Sequence, residues 1–470
     1  MKTKRLPLAA AILLAISTAQ GVSADENGVI ITDALTTITQ TGSDNFAESS
    51  QGAGSGERAY SAAIIQQGAR NQAGIDQIGD SGNRTASVKQ VGDENNALIT
   101  QNFNAINDAD QTTAMVRQLG ESNEAEVTQI DSSGAYATVL SEFDRNMATI
   151  SQIDSDAASA SIGQQGMDLT ANVSQENQTA VSKVKVRQAD SLNTAIASQN
   201  GGNRNEINIL QTNIGNIAET IQEDTTLADL KVVQSGLDNE VVSYQYNIDD
   251  ASIDINQTGD RNTVDVTQEK DTTLTDLRVV QSGLDNEVVS YQYNIDDAYI
   301  DINQTGDRNT VDVTQERGYL TDMGYANLVA FITQSGSDNV SITQQLGGNM
   351  VATTTQSGSD NYSQIDQFGD RQSAKVTQSG FSTEANISQY GWDNKATVAQ
   401  SGEFNEGEIF QAHSWLKDIS SVSNVASITQ DGFGLVDAPN KATIDQFGSN
   451  DMATIMQSGG SGNMALITQN

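Results

Sequence analysis

The sequence predicts an all-β fold: a parallel β-solenoid of two-strand β-arch rungs in cross-β stacking, roughly 18 rungs long. Three observations predict it. Glutamine recurs at a near-constant interval through almost the whole chain after residue 24, side chains between the glutamines alternate with period two, and a 47-residue stretch is duplicated with its register intact.

Residues 1–24, MKTKRLPLAAAILLAISTAQGVSA, begin basic at Lys2, Lys4 and Arg5, run apolar from Leu8 to Ile16 and end small at Val22-Ser23-Ala24. This reads as a secretory signal peptide, its apolar run too short to cross a bilayer, so the chain is expected to be secreted and extracellular. There is no cysteine, so neither disulfides nor thiol chemistry contribute. The formal charge of −37 describes a polyanion that repels nucleic acid and acidic membranes and attracts divalent cations weakly at most. With 36 % apolar and 5 % aromatic residues the composition sits near the disordered class, but the fixed register and the single proline after residue 24, Pro439, argue against disorder.

Residues 25–411 carry the repeat QxGxxNxAx(I/V)xQ. Gln345, Gln356, Gln367, Gln378, Gln389, Gln400 and Gln411 are eleven residues apart. Gln188, Gln199, Gln211, Gln222, Gln234, Gln245, Gln257 and Gln268 alternate between steps of eleven and twelve, which implies a two-module unit. Residues 224–270 recur as 271–317 with four differences, which maps Gln234, Gln245, Gln257 and Gln268 onto Gln281, Gln292, Gln304 and Gln315. The duplication inserts whole double units, as expected where each repeat contacts only its neighbours.

Within a module Asn309, Val311, Val313 and Gln315 alternate with Thr310, Asp312 and Thr314, the pattern of a strand with one buried and one wet face. The QxGxxN interval supplies the turn, with Gly236, Gly259, Gly283, Gly306, Gly358, Gly369, Gly380, Gly391 and Gly402 as turn glycines. Such strands can form hairpins or stacked arches. Identical residues at identical positions favour arches, with glutamine over glutamine, and Asn262, Asn309, Asn361, Asn394 and Asn405 in asparagine stacks, about 4.8 Å apart. A ladder of like amides satisfies buried polar groups without a different partner.

Some stretches break the rule. Gln334 to Gln344 is one residue short and Gln345 follows, so the Val340–Ile342 strand is expected to slip by one and turn its faces over unless a bulge absorbs it. Residues 131–140 keep the length but put Leu140 where glutamine is expected, and 412–441 is an irregular segment with an insertion around Pro439 before repeats resume over 442–470. The sequence closes on MALITQN inside a motif strand, without a polar cap, which predicts ends competent to stack.

No catalytic, cofactor or metal site is expected, and the protein is not expected to be an enzyme. His413, the only histidine, lacks partners of a ligating or catalytic kind. The acidic turns Gly259-Asp260-Arg261-Asn262 and Gly306-Asp307-Arg308-Asn309 are candidates for weak divalent-cation binding, although the nonapeptide of calcium-binding β-rolls is missing. Trp392, Tyr244 and Tyr291 are assigned to packing.

The tandem motif QxGxxNxAxxxQ resembles the curlin repeat of curli fibre subunits. It is closest at Gln66-Gly68-Asn71-Ala73-Gln77, Gln90-Gly92-Asn95-Ala97-Gln101, Gln389-Gly391-Asn394-Ala396-Gln400 and Gln446-Gly448-Met452-Ile455-Gln457, and it covers nearly all of residues 33–470. The resemblance implies a secreted functional amyloid that polymerises with itself into cell-surface fibres of the fimbrium or pilus kind, forming biofilm matrix and mediating cell adhesion. It also implies a curli-type outer-membrane secretion pore and a second repeat subunit or nucleator as partners. Two features depart from the family: there are many more repeats than usual, and DENGVIITDALTTITQ stands where a Gly- and Asn-rich pore-addressing segment is usual. The alternatives are a nucleator subunit, or a non-polymerising solenoid adhesin that binds glycan, mineral or ice.

Overall fold

The computed structural model describes residues 28–32, 35–53, 60–79, 83–103, 111–317, 327–412 and 423–470. Residues 1–24 and His413 lie outside this set. The fold is a parallel β-solenoid of about 17 turns, 77 % strand, with no helix among the described residues.

Alternation decides which side chains are buried. In the strand Lys395–Glu403, Ala396, Val398 and Gln400 face inward while Thr397 and Ala399 face out. Apart from two long strands that each span an arch, each strand pairs in parallel with the strand after next. Ser373–Phe381 lies on Lys395–Glu403 with Gln378 opposite Gln400 and Gly380 opposite Gly402, while Glu384–Trp392, between them in sequence, lies on Asn405–Ala412. The connections are therefore arches, not hairpins, and successive strands alternate between two parallel sheets. The inner faces of the sheets meet in a thin core of Ala, Val and Ile, crossed by contacts such as Ser363 Oγ to Thr354 Oγ1 at 3.4 Å.

The chain divides into two compact units, residues 1–167 and 168–470. In the first, Tyr136–Glu142 lies in register between Thr112–Leu119 and Ser159–Met167. The second holds the duplicated 47 residues, where the long strands Glu240–Asp260 and Thr263–Leu284 each pass through an arch without a break. Their mutual pairing shifts between Tyr246 and Ile248, which absorbs the extra residue of the Gln268–Gln281 step relative to Gln245–Gln257.

The irregular stretches resolve physically. In Val340–Gly348 the register runs unbroken, with Gln345 opposite Gln315 and Gln367 and no bulge. The strand's composition is what turns over: Ser341 and Thr343 point inward and Val340 and Ile342 outward, and the Thr343 hydroxyl is left without a partner. Leu140 likewise points outward and Ser141 takes the glutamine position, because Ala137, Val139 and Ser141 are the inward residues of that strand. Inside the interval 412–441, Val425–Phe433 is a regular strand with Gln430 opposite Gln400, followed by a tight loop bridged from Leu435 to Ala438.

Candidate functional site: the amide ladders

The inward glutamine of the repeat stands near the end of its strand beside an arch, so the parallel register sets most of them over a counterpart one turn away. In the unit 168–470, one ladder runs Gln188, Gln211, Gln234, Gln257, Gln281, Gln304, Gln334, Gln356, Gln378, Gln400, Gln430, Gln457, each Nε2 donating to the next Oε1 at 2.8–3.0 Å. The other sheet carries Gln175, Gln199, Gln222, Gln245, Gln268, Gln292, Gln315, Gln345, Gln367, Gln389, Gln411, Gln446, Gln469 at 2.6–2.9 Å. In the unit 1–167, Gln40, Gln66, Gln90 and Gln118 form one run and Gln51, Gln77, Gln101, Gln129 and Gln152 another.

All these bonds point the same way, toward the C-terminus, and backbone carbonyls set the sense. Gln257 Nε2 also donates to Glu240 O at 3.1 Å, reaching across the core, and to Asn262 O at 2.9 Å, so only its oxygen is free to accept from Gln234. Apart from Gln457 and Gln469 these glutamines are buried, and within the runs each amide is consumed by its own kind and by backbone.

An asparagine ladder follows the first glutamine ladder around its arch and runs in the opposite sense. Asn262 Nδ2 donates back to Asn239 Oδ1 at 3.1 Å, Asn286 to Asn262 at 2.9 Å, Asn309 to Asn286 at 3.1 Å and Asn361 to Asn339 at 2.9 Å. Thr383 substitutes for one member, its Oγ1 donating to Asn361 Oδ1 at 2.7 Å, and the ladder resumes with Asn440 donating to Asn405 at 3.0 Å. Of the five asparagines singled out in sequence, Asn262, Asn309, Asn361 and Asn405 therefore share one corner. Asn394 sits at the other, where its Nδ2 donates to Tyr390 O at 3.1 Å and its Oδ1 has no partner.

The glycines divide in the same way: Gly236, Gly259, Gly283, Gly306, Gly358, Gly380 and Gly402 follow the first glutamine ladder, and Gly369 and Gly391 the second. At Gly259 φ is +104°, and a Cβ would stand 2.1 Å from Gly283 O in the next turn, so stacking itself excludes a side chain there. Sequence reading overlooked a second left-handed position, the residue before the asparagine. Asp238, Arg261, Asp285, Arg308 and Asp338 occupy it at φ 54–57° and alternate in sign. Arg261 bridges to both oxygens of Asp285 (2.7 and 2.8 Å) and Arg308 to both of Asp338 (2.7 Å each); those guanidinium hydrogen bonds hold Asp285 and Asp338 below the usual carboxylate range. Charge alternation along the turn positions of the duplicated repeat was the available signal.

The acidic turns are engaged in the same stacking. Asp260 Oδ1 accepts from Leu237 N at 3.0 Å and Asp307 Oδ1 from Leu284 N at 3.1 Å. No group of three or more His, Cys, Asp or Glu among the described residues is placed to hold a metal ion. On the outer surface Tyr244 stacks on Tyr246 and Tyr291 on Tyr293, with ring centroids 6.3 and 6.2 Å apart. Burial, then the neighbouring Glu223 and Glu269, push the Tyr244 and Tyr291 phenols up.

This arrangement joins each turn to the next through the same set of amide and backbone donors and acceptors. It defines a repeat protein of the parallel β-solenoid class. The particular repeat is the curlin associated repeat, whose family model matches residues 358–391, 369–402 and 440–470, so the chain carries curlin repeats in its C-terminal region. No curated protein matches the chain.

Proposed function

We propose that this protein is a structural subunit of extracellular curli-type amyloid fibres, polymerising with itself to build biofilm matrix and support cell adhesion. One observation carries the reading: each turn presents the next with the same register of backbone and amide donors and acceptors, so a turn from a second copy is chemically equivalent to an internal one. The curlin repeats support the same reading, as do the glutamine amides that bond along the stack. Export through a curli-type secretion pore and cooperation with a second repeat subunit belong to this proposal. Purified chain is expected to convert, with a lag shortened by seeds, into fibres that bind thioflavin and diffract at about 4.8 and 10 Å. A chain that stays monomeric at tens of micromolar under seeding would refute polymerisation and favour a solitary surface adhesin.

A further inference from the structure

The two outer faces of the unit 168–470 differ in charge. Consider the outward side chains from five residues before each ladder glutamine to one residue past it. The sheet bearing Gln188 to Gln457 presents seven basic residues, among them Lys183, Lys185 and Arg187, against six acidic ones. The sheet bearing Gln175 to Gln469 presents fourteen acidic residues and a single base, Lys441. All of these side chains are at least partly exposed.

The arrangement of the charges sharpens the contrast. On the first sheet opposite signs meet in adjacent turns: Lys231 pairs with Asp254 at 2.9 Å and Arg278 with Asp301 at 3.0 Å. On the second, like charges in the stretch around the duplication are kept two turns apart, Glu219, Asp265 and Asp312 being separated by Val242 and Val289 in the same column, while the adjacent pair Glu384 and Glu406 is relieved by Lys441 bridging to Glu406. That spacing of about 10 Å exceeds a physiological Debye length, so this stretch of the acidic sheet tolerates itself while remaining unneutralised. Lys183, Lys185 and Arg187 stand on one strand at alternate positions; Lys183 lies in register with Glu206 of the next turn, and none of the three forms a salt bridge among the described residues.

We propose that copies of this chain associate side by side by setting the mixed-charge sheet of one, anchored on Lys183, Lys185 and Arg187, against the acidic sheet of the next. The proposal rests on the assembling role proposed above and adds the lateral contact. Charge complementarity selects this pairing: acidic against acidic repels, mixed against mixed leaves the basic strand unpartnered, and only the unlike pairing supplies each with its counterpart. Because the contact joins different faces it does not close on itself, and sheets can be added on either side.

The test uses full-length chain carrying Lys183→Glu, Lys185→Glu and Arg187→Glu, all outward positions that leave the core untouched. Lateral association is read by fibre width in electron micrographs and by sedimentation equilibrium of the soluble chain, and elongation by seeded thioflavin kinetics. Side-by-side association is expected to weaken on the order of tenfold or more, with elongation unchanged. A copy carrying Glu219→Lys, Glu223→Lys and Asp265→Lys, mixed in equal amount, is expected to restore it. Wild-type association should also fall as salt rises from about 20 to about 500 mM. Unchanged width and sedimentation in the triple variant, or insensitivity to salt, would overturn the proposal. So would loss of dextran sulfate binding with unchanged width, which would make the basic strand a polyanion site. Failure to elongate refutes the fibre reading alone, since sedimentation still reports the lateral contact.

Discussion

Replacing Gln257 by Glu isolates the ladder's polarity from its packing, because the two side chains have nearly the same shape. In the native protein Gln257 Nε2 faces three acceptors, Glu240 O at 3.1 Å, Asn262 O at 2.9 Å and Gln281 Oε1 at 2.9 Å, while its oxygen accepts from Gln234 at 2.9 Å. A carboxylate keeps the one donor and sets a negative charge against the three acceptors in a fully buried position. The group will therefore be held protonated, its pKa rising from about 4.3 by about 3 units, as buried carboxyls do. At about 1.4 kcal/mol per unit, the charged form costs about 4 kcal/mol. The folded pKa is raised, so the penalty is absent below the unfolded value of about 4.3, grows as pH rises and is complete above about 7. Hydrogen exchange over residues 252–284, in chain or fibre, is expected to be near wild type at pH 4.5 and accelerated by about two to three orders of magnitude at pH 8. Equal protection of variant and wild type at pH 8 would refute the claim that these amides are obligatory donors.

Three further predictions follow from the same geometry. Gly259→Ala is expected to cost at least about 3 kcal/mol, since it combines an unfavourable φ of +104° with a Cβ 2.1 Å from Gly283 O; Gly52→Ala, whose Cβ meets Ile78 at 3.7 Å, should be nearly neutral, and urea unfolding compares them. Deleting residues 271–317 removes two turns and sets Lys270 where Arg317 stood, so Gln268 should donate to Gln345; circular dichroism should retain the β signal, whereas deleting the single module 260–270 moves every later strand to the opposite sheet and should abolish cooperative folding. Burial holds the carboxyls of Asp366, Asp312, Asp229 and Asp76 above the usual range, so stability should rise as pH falls from neutral toward the ordinary aspartate value, and Asp366→Asn should flatten part of that slope; thermal melts at pH 7 and 5 measure it.

The fold was legible because one periodicity carries it. Alternation marks the strands, the interval marks the arches, and identity of residue at each position marks stacking over hairpins. What sequence left hidden has three physical causes. Where inward and outward residues are both small and polar, hydrophobicity no longer reports the face, as at Ser341 and Thr343, whose register is imposed by the strands on either side. Where corners differ, an identical motif has different surroundings: Asn394 and Asn405 look alike in sequence and each has an asparagine in the next turn, Asn424 and Asn440, yet only Asn405 is bonded to it. Where a residue breaks the pattern, only the fold says why. Arg84 occupies an inward position and is almost fully buried, its guanidinium 5.0 Å from the Tyr60 ring centroid and 4.3 Å from that of Phe103, with Nη1 donating to Ile78 O at 2.6 Å.

The sense of the ladders bears on how the proposed fibre adds subunits. Two glutamine ladders donate toward the C-terminus and one asparagine ladder donates toward the N-terminus, and in each case neighbouring carbonyls prevent the amide from turning over. A second copy in the same orientation keeps the sense of all three ladders. A reversed copy sets Nε2 against Nε2 in both glutamine columns and leaves carbonyls facing one another in the third, with buried groups unsatisfied in every column at about 1–3 kcal/mol each. The same chemistry that holds one turn on the next within the chain therefore dictates a fibre of uniform polarity. Seeds marked at one end should grow with all copies aligned, and the glutamine repeated at every arch fixes that direction as well as the spacing.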